Sequence, residues 1–309
     1  YIIQTMKKIL LSLVAACMAM AMQAQTYTVK VLKTDGTVVA FPMEDIKEIT
    51  VDENETPTPQ PATPKFVEVA GVKWATGNLQ YDKGTWKIAA HQWDYFNPVS
   101  GVRGEGSRSK TPQSADQVDH FNMGVVGANA LAIDDTHGGT ANTYFEGKLY
   151  TDAKMQNETT DFEKAAFGDL AFWATKGEYR LPSRKESLAL INDASWQYGY
   201  VETDGLKIFG FLATNPTNGV PERNIRIAKA LTSEEIAKGV FFPCAGSRYE
   251  QGVLKNVGYG AYYWVGKVWE DNDSWGAFIS ADRDGLYGDY QGDDGTKGNS
   301  IRPVFVGAK

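Results

Sequence analysis

Between residues 53 and 64 the chain reads Glu-Asn-Glu-Thr-Pro-Thr-Pro-Gln-Pro-Ala-Thr-Pro. Closely spaced prolines favour extended polyproline conformations, remove amide donors, and leave no apolar side chain to bury. No hydrophobic core can run through such a segment, so residues 53–65 act as a linker and the chain folds separately on either side. Its 309 residues have room for a small module before the linker, over 25–52, and one large domain after it, over 66–309.

What precedes the module has the pattern of a signal peptide over 1–24. Met6-Lys7-Lys8 is a charged start, residues 9–16 are an apolar core, and Ala19-Met20-Ala21 and Gln23-Ala24-Gln25 offer small residues for cleavage. The apolar stretch is too short and wrongly flanked for a membrane span, and no other segment has the length for one. The expected destination is extracellular or the outer cell surface. Val14-Ala15-Ala16-Cys17 is loosely similar to a lipoprotein signal that would anchor the chain to the outer membrane through Cys17. The apolar character that continues to Met22 favours simple cleavage near Ala24 instead.

Charge narrows the partners. The net charge is −7, and removal of the leader takes Lys7 and Lys8 with it, leaving about −9. An acidic chain with no basic run gains nothing from phosphate backbones, which excludes nucleic acid. Of the two cysteines, Cys17 lies in the leader, so Cys244 has no partner for an internal disulfide. It follows Phe241-Phe242-Pro243 and reads as a buried, inert side chain.

The module reads as a miniature β unit. Tyr27, Val29 and Val31 alternate with polar residues, Asp35-Gly36 marks a hairpin turn, and residues 38–41 return, with one helical turn expected over 43–49. A unit of this size falls below the roughly 40 residues needed to bury a core alone.

The large domain reads as α+β, with few short helices and a loop-rich antiparallel sheet. A strand is expected over 66–70 and a turn at Gly77-Asn78, and residues 91–96 form an aromatic cluster in which His91 reads as a hydrogen-bonded core residue. Asp134-Asp135 beside His137 lacks further ligands at metal spacing and reads as a solvated loop. Capping-box patterns at Thr160–Glu163, Ser183–Glu186 and Thr232–Glu235 predict three helices, and from Gly239 onward the chain reads as strand and loop.

Specific residues carry a resemblance. Residues 71–79 (Gly-Val-Lys-Trp-Ala-Thr-Gly-Asn-Leu), 179–186 (Tyr-Arg-Leu-Pro-Ser-Arg-Lys-Glu), 242–248 (Phe-Pro-Cys-Ala-Gly-Ser-Arg), 260–264 (Gly-Ala-Tyr-Tyr-Trp) and 300–304 (Ser-Ile-Arg-Pro-Val) follow one another in an ordered series. Together they resemble the Fibrobacter major paralogous domain, whose fold is similar to the C-type-lectin-like fold of formylglycine-generating enzymes. The leader and module are similar to those of Bacteroidetes-type exported proteins. The resemblance implies that the first and last strands pair, that a long loop region projects from a compact core, and that Trp74, Trp264, Arg248 and Arg302 are structural. A buried Arg302 must then pair with a carboxylate or with carbonyls.

Function is expected in the polar insert 269–299, the part this pattern constrains least. Trp269, Asp271, Asn272, Asp273, Trp275, Asp282, Asp284, Tyr287, Asp289 and Tyr290 are the candidate ligand-binding residues. Aromatic rings give stiff contact area and the small polar residues give adaptable hydrogen bonds, a combination that suits a glycan or a surface protein. The expected function is non-enzymatic, adhesin-like binding; the alternative is a structural component of a surface appendage or coat. Catalysis is disfavoured: the copper of formylglycine-generating relatives needs a cysteine pair, and a lone Cys244 cannot supply it. A two-carboxylate hydrolase is the weaker enzyme reading. No cofactor is expected. The run Glu270-Asp271-Asn272-Asp273 offers oxygen ligands that suit calcium, without the spacing of an EF-hand.

Overall fold

The computed structural model of the chain describes residues 28–32, 37–42, 64–100, 114, 116–131, 168–249, 252–268, 275–294 and 297–307. The chain divides into two compact units, Tyr1–Ala62 and Thr63–Lys309, and the boundary falls among the prolines. In the first unit β1 (Thr28–Leu32) and β2 (Val38–Pro42) pair antiparallel, with Val29 opposite Phe41 and Val31 opposite Val39. Val31, Val38 and Phe41 are exposed. The Asp35-Gly36 turn and residues 43–49 lie outside the described residues.

The strands of the second unit, in chain order, are β3 (Phe66–Val69), β4 (Val72–Ala75), β5 (Leu79–Asp82), β6 (Thr85–Ile88), β7 (Gln117–Val118), β8 (Tyr179–Arg180), β9 (Ser195–Thr203), β10 (Leu206–Thr214), β11 (Arg223–Ala230), β12 (Gly239–Pro243), β13 (Ser247–Arg248), β14 (Leu254–Lys255), β15 (Ala261–Val268), β16 (Trp275–Ala281), β17 (Leu286–Asp294) and β18 (Val304–Phe305). Among the described residues three α-helices join them: α1 (Leu170–Ala174), α2 (Arg184–Asp193) and α3 (Ser233–Ala237). The fold is mixed α+β, mostly sheet.

At the centre stands a four-stranded sheet in the order β11-β9-β10-β12. Its β9–β10 hairpin turns at Asp204-Gly205, both at positive φ (48° and 75°), the conformation a two-residue hairpin turn demands. Alternation then sorts the side chains. Trp196, Tyr198, Phe211, Ala213, Val240 and Phe242 face the largest core, which they share with Trp74, Tyr263 and Val265. Val201, Leu212 and Phe241 face the other way, toward Leu231 and Ile236. Gly199 and Gly210 lie opposite each other on that second face. A Cβ at Gly199 would sit 2.7 Å from Leu231 Cγ and one at Gly210 2.5 Å from the Phe241 ring, so the bare pair makes room for both side chains.

A second four-stranded sheet runs β3-β4-β18-β8. The last strand lies between early ones: Val304 is opposite Trp74 on one side and Arg180 on the other. Asn78, expected in a turn, is fully buried. Its Oδ1 accepts from Arg302 Nε at 2.9 Å and its Nδ2 donates to Tyr263 Oη at 3.3 Å. Arg302 is itself fully buried, and its partners are carbonyl oxygens, the main-chain ones of Ala75, Gln92 and Phe241 and the side-chain ones of Asn78 and Gln92. Burial pushes its guanidinium down to about 10. Trp74, Trp264 and Arg248 are equally buried, and Arg248 donates to Asn122 Oδ1.

The capping boxes at Ser183 and Thr232 form in both directions. Ser183 N–H donates to Glu186 Oε2 at 2.8 Å, and Thr232 N–H to Glu235 Oε2 at 2.8 Å. Arg180 grips the same Glu186 at 2.6 Å. α1 departs from expectation: its cap is Asp169, whose Oδ1 accepts from Phe172 N–H at 3.0 Å. The Thr160–Glu163 box lies outside the described residues, as do Asp134, Asp135 and His137. His91 is corrected too. Its side chain is 58% exposed, stacked on Trp93 and paired with Asp94 at 3.1 Å, because the buried position in that cluster is taken by its neighbour Gln92. The histidine that does enter the core is His120. Its ring nitrogens face Asp119 Oδ1 at 2.8 Å and the Ala245 carbonyl at 3.1 Å.

Candidate functional site: the turn between β16 and β17

The insert is largely sheet. Residues 275–281 and 286–294 form β16 and β17 of an antiparallel three-stranded sheet, β15-β16-β17. Over the described residues 275–294 this corrects the projecting loop region that the resemblance implies. Ile279, Ser280 and Ala281 are buried, and so are Asn299 and Ser300 at the far end. Ile279 and Ala281 are one alternate set of β16, which supplies the apolar face a strand needs to dock on the largest core.

The connection at 282–285 reaches the surface, with Arg283 and Asp284 exposed and Asp282 and Gly285 half-buried. Asp282 organises it. Its Oδ1 accepts the N–H groups of Asp284 at 2.8 Å and Gly285 at 2.9 Å, while its own N–H donates to the Gly285 carbonyl at 3.0 Å. This is the local hydrogen bonding by which aspartate closes turns. Asp282 is therefore a half-buried turn former. Its charge, added to the larger effect of burial, pushes the Cys244 thiol and the Tyr262 hydroxyl up.

Asp284 projects from this turn into solvent, and Tyr259 Oη donates to its Oδ2 at 2.8 Å. Tyr287 follows, 46% exposed, with its ring laid across Gly285: a Cβ there would stand 2.6 Å from the ring. β17 cannot roll over to bury Tyr287. Leu286 packs on the core, and the backbone at Gly288 presses on α2, where a Cβ would meet the Ser187 carbonyl oxygen at 2.8 Å. Strand alternation then directs Tyr287 outward. The result is an exposed aromatic ring and a fixed carboxylate at one turn, with an exposed Arg283 next to Asp284 in sequence.

Of the ten sequence candidates, the structure gathers Asp282, Asp284 and Tyr287 at this turn. Trp275, Asp289 and Tyr290 are placed on strands, with Trp275 opposite Asp294 and Tyr290 opposite Phe278. Trp269, Asp271, Asn272 and Asp273 lie outside the described residues, and the calcium expectation with them. Among the described residues no three His, Cys, Asp or Glu side chains converge as a metal site. Tyr259 belongs to the site and was not among the candidates. Its place just before Gly260 at the start of a strand gave no hint, since the contact with Asp284 spans 25 residues. Cys244 is fully buried, and burial raises its thiol well above the ordinary range.

Fold and site together define a strand-dominated α+β chain with a rigid aromatic and acidic turn on its surface. No protein-family model, curated protein or solved structure matches it. No helix among the described residues is long and apolar enough to cross a membrane.

Proposed function

We propose that the chain is an exported, non-enzymatic binding protein, adhesin-like, whose 66–309 domain is of the C-type-lectin-like, major paralogous type. Its ligand is a glycan or a cell-surface protein, and the turn between β16 and β17 contacts it. The observation that carries the reading is Tyr287, an exposed ring held in place by Gly285 beneath it and by β17 packed on α2, next to an Asp284 fixed by Tyr259. A rigid aromatic with a preorganised acceptor binds at low entropic cost. The lectin-like part is supported by the last strand, β18, lying against β4 near the start of the domain. The non-enzymatic part is supported by Cys244, the only thiol left once the leader is removed, being buried in its high-pKa form.

The test is a glycan and cell-surface-protein array probed with the full chain and with Tyr287→Ala. Loss of a hot-spot aromatic costs about 2 kcal/mol, some thirtyfold in affinity. Identical profiles for the two proteins would remove the turn from the binding site.

A further inference from the structure

The second face of the β9–β10 hairpin is only partly covered. α3 and Leu231 close over Val201, Leu212 and Phe241. Past Leu212 the next cross-strand pair, Ser195 and Thr214, is left half-buried. Residues 215–222 and Lys238 rise around this pair and enclose a cleft of about 340 Å³. A second depression of about 320 Å³, lined by residues 223–227, adjoins it and shares Asn224. The two meet at Asn224 of β11, and each is within the size range of small-ligand sites.

We propose that they act as one groove that binds a neutral oligosaccharide. The charges of the first cleft cancel, with Glu222 and Glu235 against Lys229 and Lys238; of the two arginines of the second depression, Arg223 donates to the Ile191 carbonyl at 2.6 Å, which leaves the exposed Arg226 as the uncancelled charge among the described lining residues. Between them Thr217, Asn218 and Asn224 offer hydroxyl and amide groups that both donate and accept, as sugar hydroxyls require. Val220 and Ile227, 70% and 83% exposed, stand at the two depressions and present apolar surface to the C–H faces of sugar rings. Two adjoining depressions accommodate more than one ring. An extended peptide adding to β11 is disfavoured, because the register shift between Asn224 and Lys229 breaks the ladder it would continue.

The groove shares no residue with the turn at 282–287, so the two sites are tested apart. The full chain is run on native gels cast with galactomannan, xyloglucan, amylopectin or dextran, and with anionic polygalacturonate. Thr217 and Asn218 are exposed and their side chains make no hydrogen bond among the described residues, so Thr217→Ala/Asn218→Ala leaves the fold intact. Ile227→Lys is a second, equally exposed variant. At least one neutral polysaccharide retards the wild type, both groove variants bind it about tenfold more weakly, the loss of two hydrogen-bonding groups or one apolar contact, and Tyr287→Ala is retarded like wild type. Four results overturn the groove: no retardation by any neutral polysaccharide, retardation by polygalacturonate alone, equal retardation of wild type and groove variants, or loss confined to Tyr287→Ala. The last would place the sugar at the turn and leave the proposed function standing.

Discussion

Removing the Arg302 guanidinium tests the claim that one buried cation ties the domain together. All five of its N–H groups are spent: Nε on Asn78 Oδ1 at 2.9 Å, Nη1 on Ala75 O at 3.2 Å and Gln92 Oε1 at 3.4 Å, and Nη2 on Gln92 O and Phe241 O, each at 2.8 Å. These acceptors come from the 75–78 segment, the 91–96 segment and β12, which no single strand ladder joins. Arg302→Met keeps most of the volume and orphans them. Each buried acceptor left bare costs about 1–3 kcal/mol. Against this, the variant is relieved of burying a charge, a cost of about 3 kcal/mol from the fall of the guanidinium to about 10. Gln92 Oε1 keeps a second donor, the Phe241 N–H at 2.8 Å, so it is not orphaned. Four acceptors are left bare, so the net loss after that relief is about 1–9 kcal/mol, a range that brackets the loss of about 3–5 kcal/mol on removing one partner from a buried charged network and is a large share of a typical stability of roughly 5–15 kcal/mol. Arg302→Lys fares little better, since three donors on one nitrogen cannot span acceptors held by a planar fork. Urea unfolding followed by tryptophan fluorescence measures both, with the exposed Arg226→Met as a control expected within about 0.5 kcal/mol of wild type. A loss below about 1 kcal/mol for Arg302→Met would refute the reasoning, because the acceptors would then be satisfied without the cation.

Two further predictions concern titration. Burial pushes the hydroxyls of Tyr95, Tyr198, Tyr262 and Tyr263 up, and that of Tyr179 up to about 12. A raised folded value means that the folded state holds these protons longer, so their stabilisation is complete below pH 10 and drains away as the pH rises beyond it. Difference absorbance at 295 nm should leave the amplitude of these five of the chain's 15 tyrosines to the unfolding step; reversible ionisation of all 15 near pH 10 in the folded protein would contradict it. Asp169 is the acidic counterpart. Burial raises it to about 6, overriding the N–H groups of Phe172 and Leu181 that favour its charge. Its contribution is therefore full below about pH 4 and is lost as the pH rises through 6, the reverse of a salt-bridged carboxylate. Asp169→Asn should flatten that part of the stability–pH curve. It should also cost about 1–3 kcal/mol, since Oδ1 and Oδ2 each accept an N–H and an amide has one acceptor oxygen.

Much of the frame was legible because its signals are local. The Ser183 and Thr232 boxes predicted α2 and α3 to within a residue or two, since a cap is a contract between positions three apart. The centre of the fold was missed. Residues 195–230 carry β9 and β10, of nine residues each, and the sequence does signal them: Trp196, Tyr198 and Tyr200 alternate, and Asp204-Gly205 is a strong two-residue hairpin marker. Reading that dipeptide would have recovered β9 and β10 and the face on which the proposed groove lies.

The insert shows a different kind of failure. Counted by composition, a run rich in Asp, Tyr, Trp and Gly is a loop, and ten of its residues stood as equal candidates. Counted by position, Ile279 and Ala281 occupy one face of a strand and Gly288 is the contact that lets β17 lie on α2. Polar residues on such strands are the solvent side of a sheet, and only where the ladder breaks to turn do they leave the strands. That reduces the site to Asp284 and Tyr287 with Tyr259 behind them, and gives Asp282 the different task of closing the turn. The site is selected by where a rigid sheet stops, a property of long-range pairing between β15, β16 and β17 that no window of sequence contains.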